Sequence, residues 1–214
     1  MGKEILYIII SLLTAGAAVF FTRRRYQCAK LFSSAKRTAA VLLAVAGISI
    51  LFGWILPQRI SFWLGDLRVW IVLFCLTGAA MTDLDSRTIP NLFSLIELVG
   101  FGIIIFLQIF VQRDTVLSYL TGGLIAAGII FAFLAVIRKL ARGGLGFGDI
   151  KFLTCMGLLV GIYGMIHVLI IAEVCALAVS VVLLILKKIT IKGTIPFAPF
   201  FLIGFVVTVV LGLL

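Results

Sequence analysis

Residues 116–137 read VLSYLTGGLIAAGIIFAFLAVI, a stretch of 22 residues without a single charge. At about 1.5 Å of rise per residue, a helix of this length spans the roughly 30 Å hydrocarbon core of a membrane. Comparable stretches recur along the whole chain, in which 64% of the residues are hydrophobic and 12% are charged. Soluble domains have about 45–50% apolar and about 25% charged residues. The composition therefore excludes a soluble globular enzyme and a disordered or fibrous protein.

The apolar stretches predict an all-α fold, a polytopic integral membrane bundle of about eight transmembrane helices. The first stretch runs into Arg23-Arg24-Arg25, and we interpret it as a retained span rather than a cleaved signal. The break around Gly161 and Gly164 is the weakest, and its loss would merge two spans into one bent helix. We expect two parts, N-terminal transmembrane helices over 1–68 and a membrane domain over 69–214 that carries the functional residues. The predicted spans are 5–21, 38–56, 69–82, 92–111, 116–137, 150–164, 167–186 and 197–214.

The basic residues indicate the orientation of these spans. The chain has 18 lysines and arginines and a formal net charge of +10, which in a soluble protein would suggest nucleic acid. If 22–37 is cytoplasmic, alternation places 83–91, 138–149 and 187–196 on the same side, and that side holds 14 of the 18 basic residues. Short cytoplasmic loops of membrane proteins are enriched in Lys and Arg. We therefore expect an external N-terminus, a lipid bilayer around the chain and no nucleic acid partner.

The cysteine and histidine pattern argues against a metal site. The four cysteines are isolated, at Cys28, Cys75, Cys155 and Cys175, and the chain has one histidine, His167. Zinc sites use closely spaced Cys or His pairs, and no such pair exists here. We expect no metal, no cofactor and no disulfide framework.

Two motifs fall at the same predicted membrane face. TDLDSRTIPN, residues 82–91, follows the third span and contains Asp83 and Asp85. GGLGFGDIK, residues 143–151, precedes the sixth span and contains Asp149. Glycines let a backbone approach a partner closely. Taken singly, the first motif is also compatible with an interfacial loop that orients two helices, and Asp149 with a helix cap.

Together the motifs suggest a reaction. Two carboxyl groups that share a site do not both ionise readily, so one keeps a proton while the other activates water against a peptide carbonyl. This is the chemistry of an aspartic protease. A serine or cysteine protease would need a histidine, and His167 is predicted near the opposite face. The candidate catalytic residues are therefore Asp149 and one aspartate of the first motif, Asp83 or Asp85.

The two motifs resemble those of the type IV prepilin peptidase family, membrane aspartic proteases with a G-x-G-D pattern related to archaeal preflagellin peptidases. Asp83 with 89–91, 146–151 and the late 196–200 match the family in order and type, so the similarity covers roughly 70–214. The resemblance implies cleavage of prepilin or pseudopilin-like proteins, which carry a basic leader and a hydrophobic N-terminal helix, at the cytoplasmic face of the cell membrane. The resemblance also selects Asp83 over Asp85, so that Asp83 and Asp149 are the expected catalytic pair. The residues that it assigns to supporting the motif are Gly146, Gly148, Lys151, Pro90 and Asn91.

One departure from the family concerns a second activity. Many bacterial members also N-methylate the new terminus and resemble one another in a large cytoplasmic loop with two C-x-x-C pairs. Here that loop is only about 22–37 and contains the single Cys28. We therefore expect cleavage without methylation. Presenilin and signal peptide peptidase share the G-x-G-D pattern, but their first aspartate follows a tyrosine, whereas Asp83 follows Thr82.

The predicted helix ends suggest which carboxyl group carries the proton. Asp149 begins a span, where the helix dipole favours a negative charge by about 0.3–1 kcal/mol, while Asp83 ends one, where the dipole disfavours it. We expect Asp149 to be the more ionised partner and Asp83 the proton carrier. Asp85 lies two residues further on, in a loop that water solvates, and is expected to be supporting at most.

Other function classes stay open at this point. Glu97 and Glu173 fall within predicted spans, and carboxyl groups at membrane depth often bind cations or relay protons. An ion- or proton-coupled transporter is therefore the alternative, with a catalytically silent membrane scaffold as a third class. Against a transporter, the sequence has no inverted repeat, and the motif aspartates lie at one face rather than at the midplane.

Overall fold

The computed structural model describes residues 2–26, 28, 30–59, 63–140, 146–187 and 195–214, with the backbone alone for 2–4, 49, 52–59 and 63–66. The described residues form helices joined by short links, and no strand occurs among them. The part of sequence motif 143–151 before Gly146 lies outside the described residues, as does most of the predicted break at 187–196. The helices are α1 (Gly2–Tyr26), α2 (Ala35–Arg59), α3 (Trp63–Ser86), α4 (Asn91–Val111), α5 (Arg113–Leu140), α6 (Phe147–Ile185) and α7 (Ala198–Leu211).

The bundle is apolar on its outside as well as its inside. Leu13, Phe110 and Leu117 are 67%, 72% and 70% exposed, a surface that suits lipid and not water. The structure therefore confirms the expected all-α bundle of membrane-type helices. Within the described residues, the segments long and apolar enough to cross a membrane are Ile5–Tyr26, Leu67–Ser86, Asn91–Val111, Arg113–Leu140 and Phe147–Ile185, whereas Ala198–Leu211 is shorter.

The helix α3 lies at the centre of the bundle. Its side chains Val72, Leu73, Leu76 and Ala79 are fully buried. The sequence predicted only 69–82 here, because charged residues on both sides limited the apolar stretch. The helix continues to Ser86, because the charged residues interrupt the apolar stretch without ending the helix.

The helix α6 consists of two legs, 147–160 and 162–185. Between them Gly161 has φ 77° and ψ 174°, a backbone conformation that is essentially restricted to glycine. The first leg starts beside Ile89, where a Cβ atom on Gly148 would lie 3.3 Å from the Ile89 carbonyl oxygen. Further along, the Leu158 carbonyl oxygen would lie 2.8 Å from a Cβ atom on Gly123. The first leg is therefore held against the α3–α4 link at one end and against α5 at the other.

The second leg runs back towards the start of the first. A Cβ atom on Gly164 would lie 3.7 Å from the Cα atom of Leu214, beyond the end of α7. Gly204, in the middle of α7, packs against Val168 and Ala172, and its Cβ atom would lie 2.5 Å from the Val168 carbonyl oxygen. The second leg is thus antiparallel to α7, and the chain reverses at Gly161. The reversal falls where the sequence placed the weak break between the sixth and seventh spans.

Several links gather at one end of the bundle, which we call the aspartate end. The Leu31 backbone N–H, between α1 and α2, donates a hydrogen bond of 2.9 Å to Asp85 Oδ1 at the end of α3. The Ala198 N–H, at the start of α7, donates one of 2.8 Å to Asp83 Oδ2. The aspartate end therefore joins four helices through the last turn of α3.

Candidate active site at the aspartate end

The first motif ends α3 with a tight turn. Arg87 has a left-handed backbone, with φ 56°, and its N–H bonds to the Asp83 carbonyl oxygen at 2.9 Å. Pro90 then starts α4 in an extended conformation, with φ −64° and ψ 138°, and Asn91 is its exposed first residue. Proline suits this position because it has no N–H to leave unpaired. The turn leaves Asp83 in the last helical turn of α3, facing the bundle.

Asp83 is held by the N-terminus of another helix. Its side chain is 7% exposed, and its Oδ2 atom accepts the 2.8 Å hydrogen bond from Ala198. The Phe197 N–H also bonds to the carboxyl group. Helix N-termini present unpaired N–H groups and a positive dipole end. Both stabilise the ionised form of Asp83.

Asp149 occupies the first turn of α6. Gly146 precedes the helix in an extended conformation, and the Asp149 carboxyl group turns back towards the Gly146 backbone N–H. A Cβ atom on Gly146 would lie 2.8 Å from Asp149 Oδ2, so the glycine makes room for the carboxyl group. Asp149 is partly exposed, in contrast to Asp83. It is thus the member of the pair that faces solvent.

The structure brings the two motifs together. The charges of Asp83 and Asp149 are close enough to interact. The contact between Gly148 and the Ile89 carbonyl oxygen sets the start of α6 against the α3–α4 link. A larger residue than glycine at position 148 would crowd this approach. The arrangement therefore provides two interacting carboxyl groups at one end of the bundle.

The hydrogen bonds to Asp83 and Asp149 do not favour the expected distribution of negative charge between them. The sequence placed Asp83 at a helix C-terminus and assigned the proton to it. In the structure the N-terminus of α7 also points at Asp83, with two backbone donors, while Asp149 faces one. Hydrogen bonds to the charged form favour that form. Asp83 is therefore the better placed of the two to be ionised, and Asp149 to hold the shared proton. Sequence reasoning did not identify the backbone N–H groups of Phe197 and Ala198 as hydrogen-bond donors to Asp83. The segment 196–200, which resembles a late motif of the family, was the signal that could have pointed to them.

Asp85 differs from expectation in its location. It belongs to the last turn of α3 and not to a solvated loop, and it is only partly exposed. Its hydrogen bond with Leu31 holds the α1–α2 link in place. Beside it, Cys28 is 2% exposed, and burial together with the Asp85 carboxylate raises the pKa of the Cys28 thiol. Asp85 thus organises a neighbouring link and does not join the interacting pair.

Lys151 stands at the edge of the site. Its ammonium nitrogen lies 4.9 Å from the centroid of the Phe147 ring. The Arg138 guanidinium lies 5.2 Å from the same ring, at the end of α5. Cations over an aromatic face are attracted to it. Phe147 therefore holds two positive charges at the start of α6.

The two intramembrane glutamates occupy different places. Glu97, on α4, is fully buried, and neither of its carboxyl oxygens has a hydrogen-bond partner within the described part of the chain. Its nearest ionisable neighbours include Cys75 and Cys155. Glu173 lies on the second leg of α6 with an exposed side chain. Neither glutamate is grouped with the Asp83–Asp149 pair, and the described residues contain no cluster of three His, Cys, Asp or Glu side chains that could hold a metal ion.

The opposite end of the bundle contains a separate cavity of about 670 Å³. It is lined by Arg68, Gln108 and Tyr119 among others, and the Arg68 guanidinium lies 5.1 Å from the centroid of the Tyr119 ring. None of the motif residues lines it. The cavity is therefore distinct from the candidate active site.

Comparison with known proteins agrees with the geometry. The type IV leader peptidase family matches residues 70–181, a range that includes both interacting aspartates. The chain is 33% identical over 135 residues to a prepilin leader peptidase/N-methyltransferase of Bacillus subtilis (strain 168), over 62% of this chain and 46% of that protein. The chain thus matches less than half the length of that relative. No solved structure matches the chain at a significant level.

Proposed function

Because the chain belongs to the type IV leader peptidase family, we propose that it is a membrane-embedded aspartic endopeptidase. Its substrates are prepilin or pseudopilin-like proteins with a basic leader and a hydrophobic N-terminal helix. The observation that carries the proposal is the meeting of Asp83 and Asp149 at one end of the bundle. Two interacting carboxyl groups at a membrane face suit hydrolysis of a peptide bond that lies just outside the lipid.

The proposed chemistry follows from the unequal environments of the two carboxyl groups. Ionised Asp83 accepts a proton from water, and the water oxygen forms a bond to the scissile carbonyl carbon. Protonated Asp149 donates its proton to the carbonyl oxygen, which stabilises the developing charge. When the C–N bond breaks, the proton on Asp83 passes to the leaving amine, and the tetrahedral oxygen returns its proton to Asp149. The site thereby recovers its starting state, and no cofactor enters any step.

The proposed orientation places the aspartate end in the cytoplasm of a cell membrane and the N-terminus outside. The partition of basic residues supports it, because most of them lie in links at the aspartate end. The reversal at Gly161 supports a count of eight spans, since it divides α6 into two antiparallel legs. A single straight helix of 39 residues would be about 58 Å long, nearly twice the hydrocarbon thickness.

Cleavage without N-methylation is part of the proposal. The Bacillus subtilis relative is named for both activities. Here the link between α1 and α2 runs only from residue 27 to 34 and contains one cysteine, Cys28. This link is too short to form the cysteine-rich loop that the resemblance associates with methyl transfer.

The test is cleavage of a prepilin-like substrate by the purified chain in lipid, read by mass spectrometry. We expect the wild-type protein to cut before the hydrophobic segment and to leave an unmethylated terminus. Asp83→Asn and Asp149→Asn should each abolish cleavage, because either change removes one of the two titrating carboxyl groups. Asp85→Asn is the matched control and should retain substantial activity, since an amide oxygen still accepts the Leu31 hydrogen bond.

Each alternative outcome has a definite meaning. Full activity of Asp149→Asn would remove the two-carboxylate mechanism. A methylated product made by this chain alone would show that the short α1–α2 link is no barrier to methyl transfer. Absence of cleavage in varied lipids, combined with ion flux through proteoliposomes, would favour the transporter instead.

A further inference from the structure

A groove opens beside the candidate active site between α4, α5 and the first leg of α6. Its volume is about 690 Å³, which is in the range of sites that enclose several side chains. Its walls are mainly apolar. The residues that form most of the surface are Leu92, Leu95, Leu98, Phe131, Thr154 and Cys155.

One end of the groove lies at the aspartate end of the bundle. Asn91 and Lys151 line that end, where Asn91 follows Pro90 and Lys151 lies in the same first turns of α6 as Asp149. The lining of α4 then runs from Asn91 to Leu98, which is about 11 Å or two helical turns. Its residues become apolar with distance from the aspartate end. The groove therefore starts at the membrane interface and continues towards the bilayer interior.

The lining follows the pattern of a surface that receives a helix. Asn91, Leu95 and Leu98 occupy positions i, i+4 and i+7 of α4, the spacing that places residues along one face. Leu95 and Leu98 are 53% and 49% exposed, and Phe131 faces them from α5 with 45% exposed. Large side chains from three helices thus leave a concave surface unfilled.

We propose that the groove receives the first two turns of the substrate's hydrophobic segment, immediately after the bond that is cut. This inference rests on the proposed function. Asn91 and Lys151 place one end of the groove at the aspartate end of the bundle, and its apolar walls suit a segment that enters the bilayer. A substrate seated there would pass its scissile bond over the aspartates, while its leader stays in water. The groove thereby selects for a hydrophobic segment next to the cut.

The first arm of the test compares two substrates, a prepilin-like protein and a peptide that contains the leader and the cut but lacks the hydrophobic segment. For each, kcat/KM is measured with wild type, Leu98→Trp and Val99→Trp. Leu98 lines the groove, whereas Val99 is equally exposed (52%) and lies outside it. The informative quantity is kcat/KM for the prepilin-like protein divided by kcat/KM for the peptide. Leu98→Trp should lower this ratio by on the order of tenfold, as expected for the loss of one well-packed apolar contact. Val99→Trp should leave that ratio at the wild-type value.

The second arm does not depend on the folding of Leu98→Trp. A photoreactive benzophenone amino acid is placed at position 98 or 99 of the full chain that carries Asp149→Asn, and the complex with the prepilin-like protein is irradiated. We expect crosslinks from position 98 to the first two turns after the cut, and lipid adducts alone from position 99.

The outcomes separate this inference from the proposed function. If the wild type cleaves the prepilin-like protein but position 98 yields only lipid adducts and Leu98→Trp leaves the ratio unchanged, the groove assignment is wrong and the peptidase stands. If the wild type cleaves neither substrate, the proposed function fails and the groove inference fails with it. Crosslinks from position 98 to the leader would also overturn the assignment, because they would reverse the direction of the substrate.

Discussion

Asp83 connects the chemistry of the site to the packing of the bundle. Its carboxylate accepts hydrogen bonds from the N-terminus of α7 and is also a member of the aspartate pair. The Asp83–Ala198 hydrogen bond joins residues 115 positions apart in the chain. Hydrogen bonds to charged groups contribute about 1.5–3 kcal/mol each. Loss of this one should therefore loosen the start of α7. An amide at position 83 still offers an oxygen acceptor, whereas a methyl group does not.

The prediction at the residue scale separates these two roles of Asp83. Asp83→Ala should lower the melting temperature in detergent by roughly 3–12 °C, from about 1.5–3 kcal/mol at 2–4 °C per kcal/mol. Asp83→Asn should lower it by less, although both variants are inactive. Asp149→Ala is the control, since Asp149 is more exposed and faces one backbone donor. Equal shifts for Asp83→Ala and Asp149→Ala would show that α7 does not depend on Asp83.

Sequence reasoning identified the aspartate pair but not its full surroundings. The residue types and their positions at span ends singled out the two motifs, and the family resemblance selected Asp83 over Asp85. The donors of Phe197 and Ala198 were not predictable in the same way, because they are backbone groups brought in by a distant helix. The hydrogen bonds from these donors favour ionised Asp83, the opposite of the expectation from the helix ends. The sequence reveals the dipole of the helix that carries an aspartate. It does not reveal the dipole of a second helix whose N-terminus points at the same carboxyl group in the fold.

At the scale of elements, Gly161 determines whether α6 is one helix or two legs. Its φ of 77° with ψ of 174° is strained for any residue with a Cβ atom, at a cost of about 1–3 kcal/mol. Gly161→Ala should therefore lower the melting temperature of the protein in detergent. Gly128→Ala is the matched control, because Gly128 is within α5 and nothing lies within 4 Å of an added Cβ atom. It should be neutral or stabilising by up to about 1 kcal/mol.

The outcome that contradicts this prediction is equal melting of the two variants. It would mean that the backbone at position 161 adopts a conformation open to alanine, and hence that the two legs do not reverse there. Cleavage activity should fall with Gly161→Ala as well, because the second leg packs against α7 and α7 holds Asp83.

The existence of the helices was predictable, whereas their ends were less so. Long apolar stretches indicated α1, α4 and α5 within a few residues. The ends of α3 were underestimated, because charged residues interrupt the apolar stretch on both sides but do not end the helix. The packing of Gly204 against Val168 gave no signal in the sequence, since a glycine in an apolar helix is common and its neighbour is set by the tertiary fold.

At the scale of the whole molecule, the structure divides the positive charges between two ends. Arg68 and Arg113 are near the end opposite the aspartates, where Arg68 contacts Tyr119. The links at the aspartate end contain many more basic residues. Such an asymmetry is the feature by which short loops fix orientation in a membrane. The described basic residues at the aspartate end are Arg23, Arg24, Arg25, Lys30, Lys36, Arg37, Arg87, Arg138, Lys139, Lys151 and Lys187.

The corresponding prediction uses the two ends of one helix. In a chain whose four native cysteines are replaced by serine, Arg113→Cys and Lys139→Cys place single thiols at opposite ends of α5, and both positions are exposed. A membrane-impermeant maleimide should label position 113 on intact cells, and position 139 only after the membrane is opened. The cause is the excess of positive charge at the aspartate end, which opposes its translocation. Labelling of position 139 from outside would place Asp83 and Asp149 on the external face, where a substrate that has not yet been exported could not reach them.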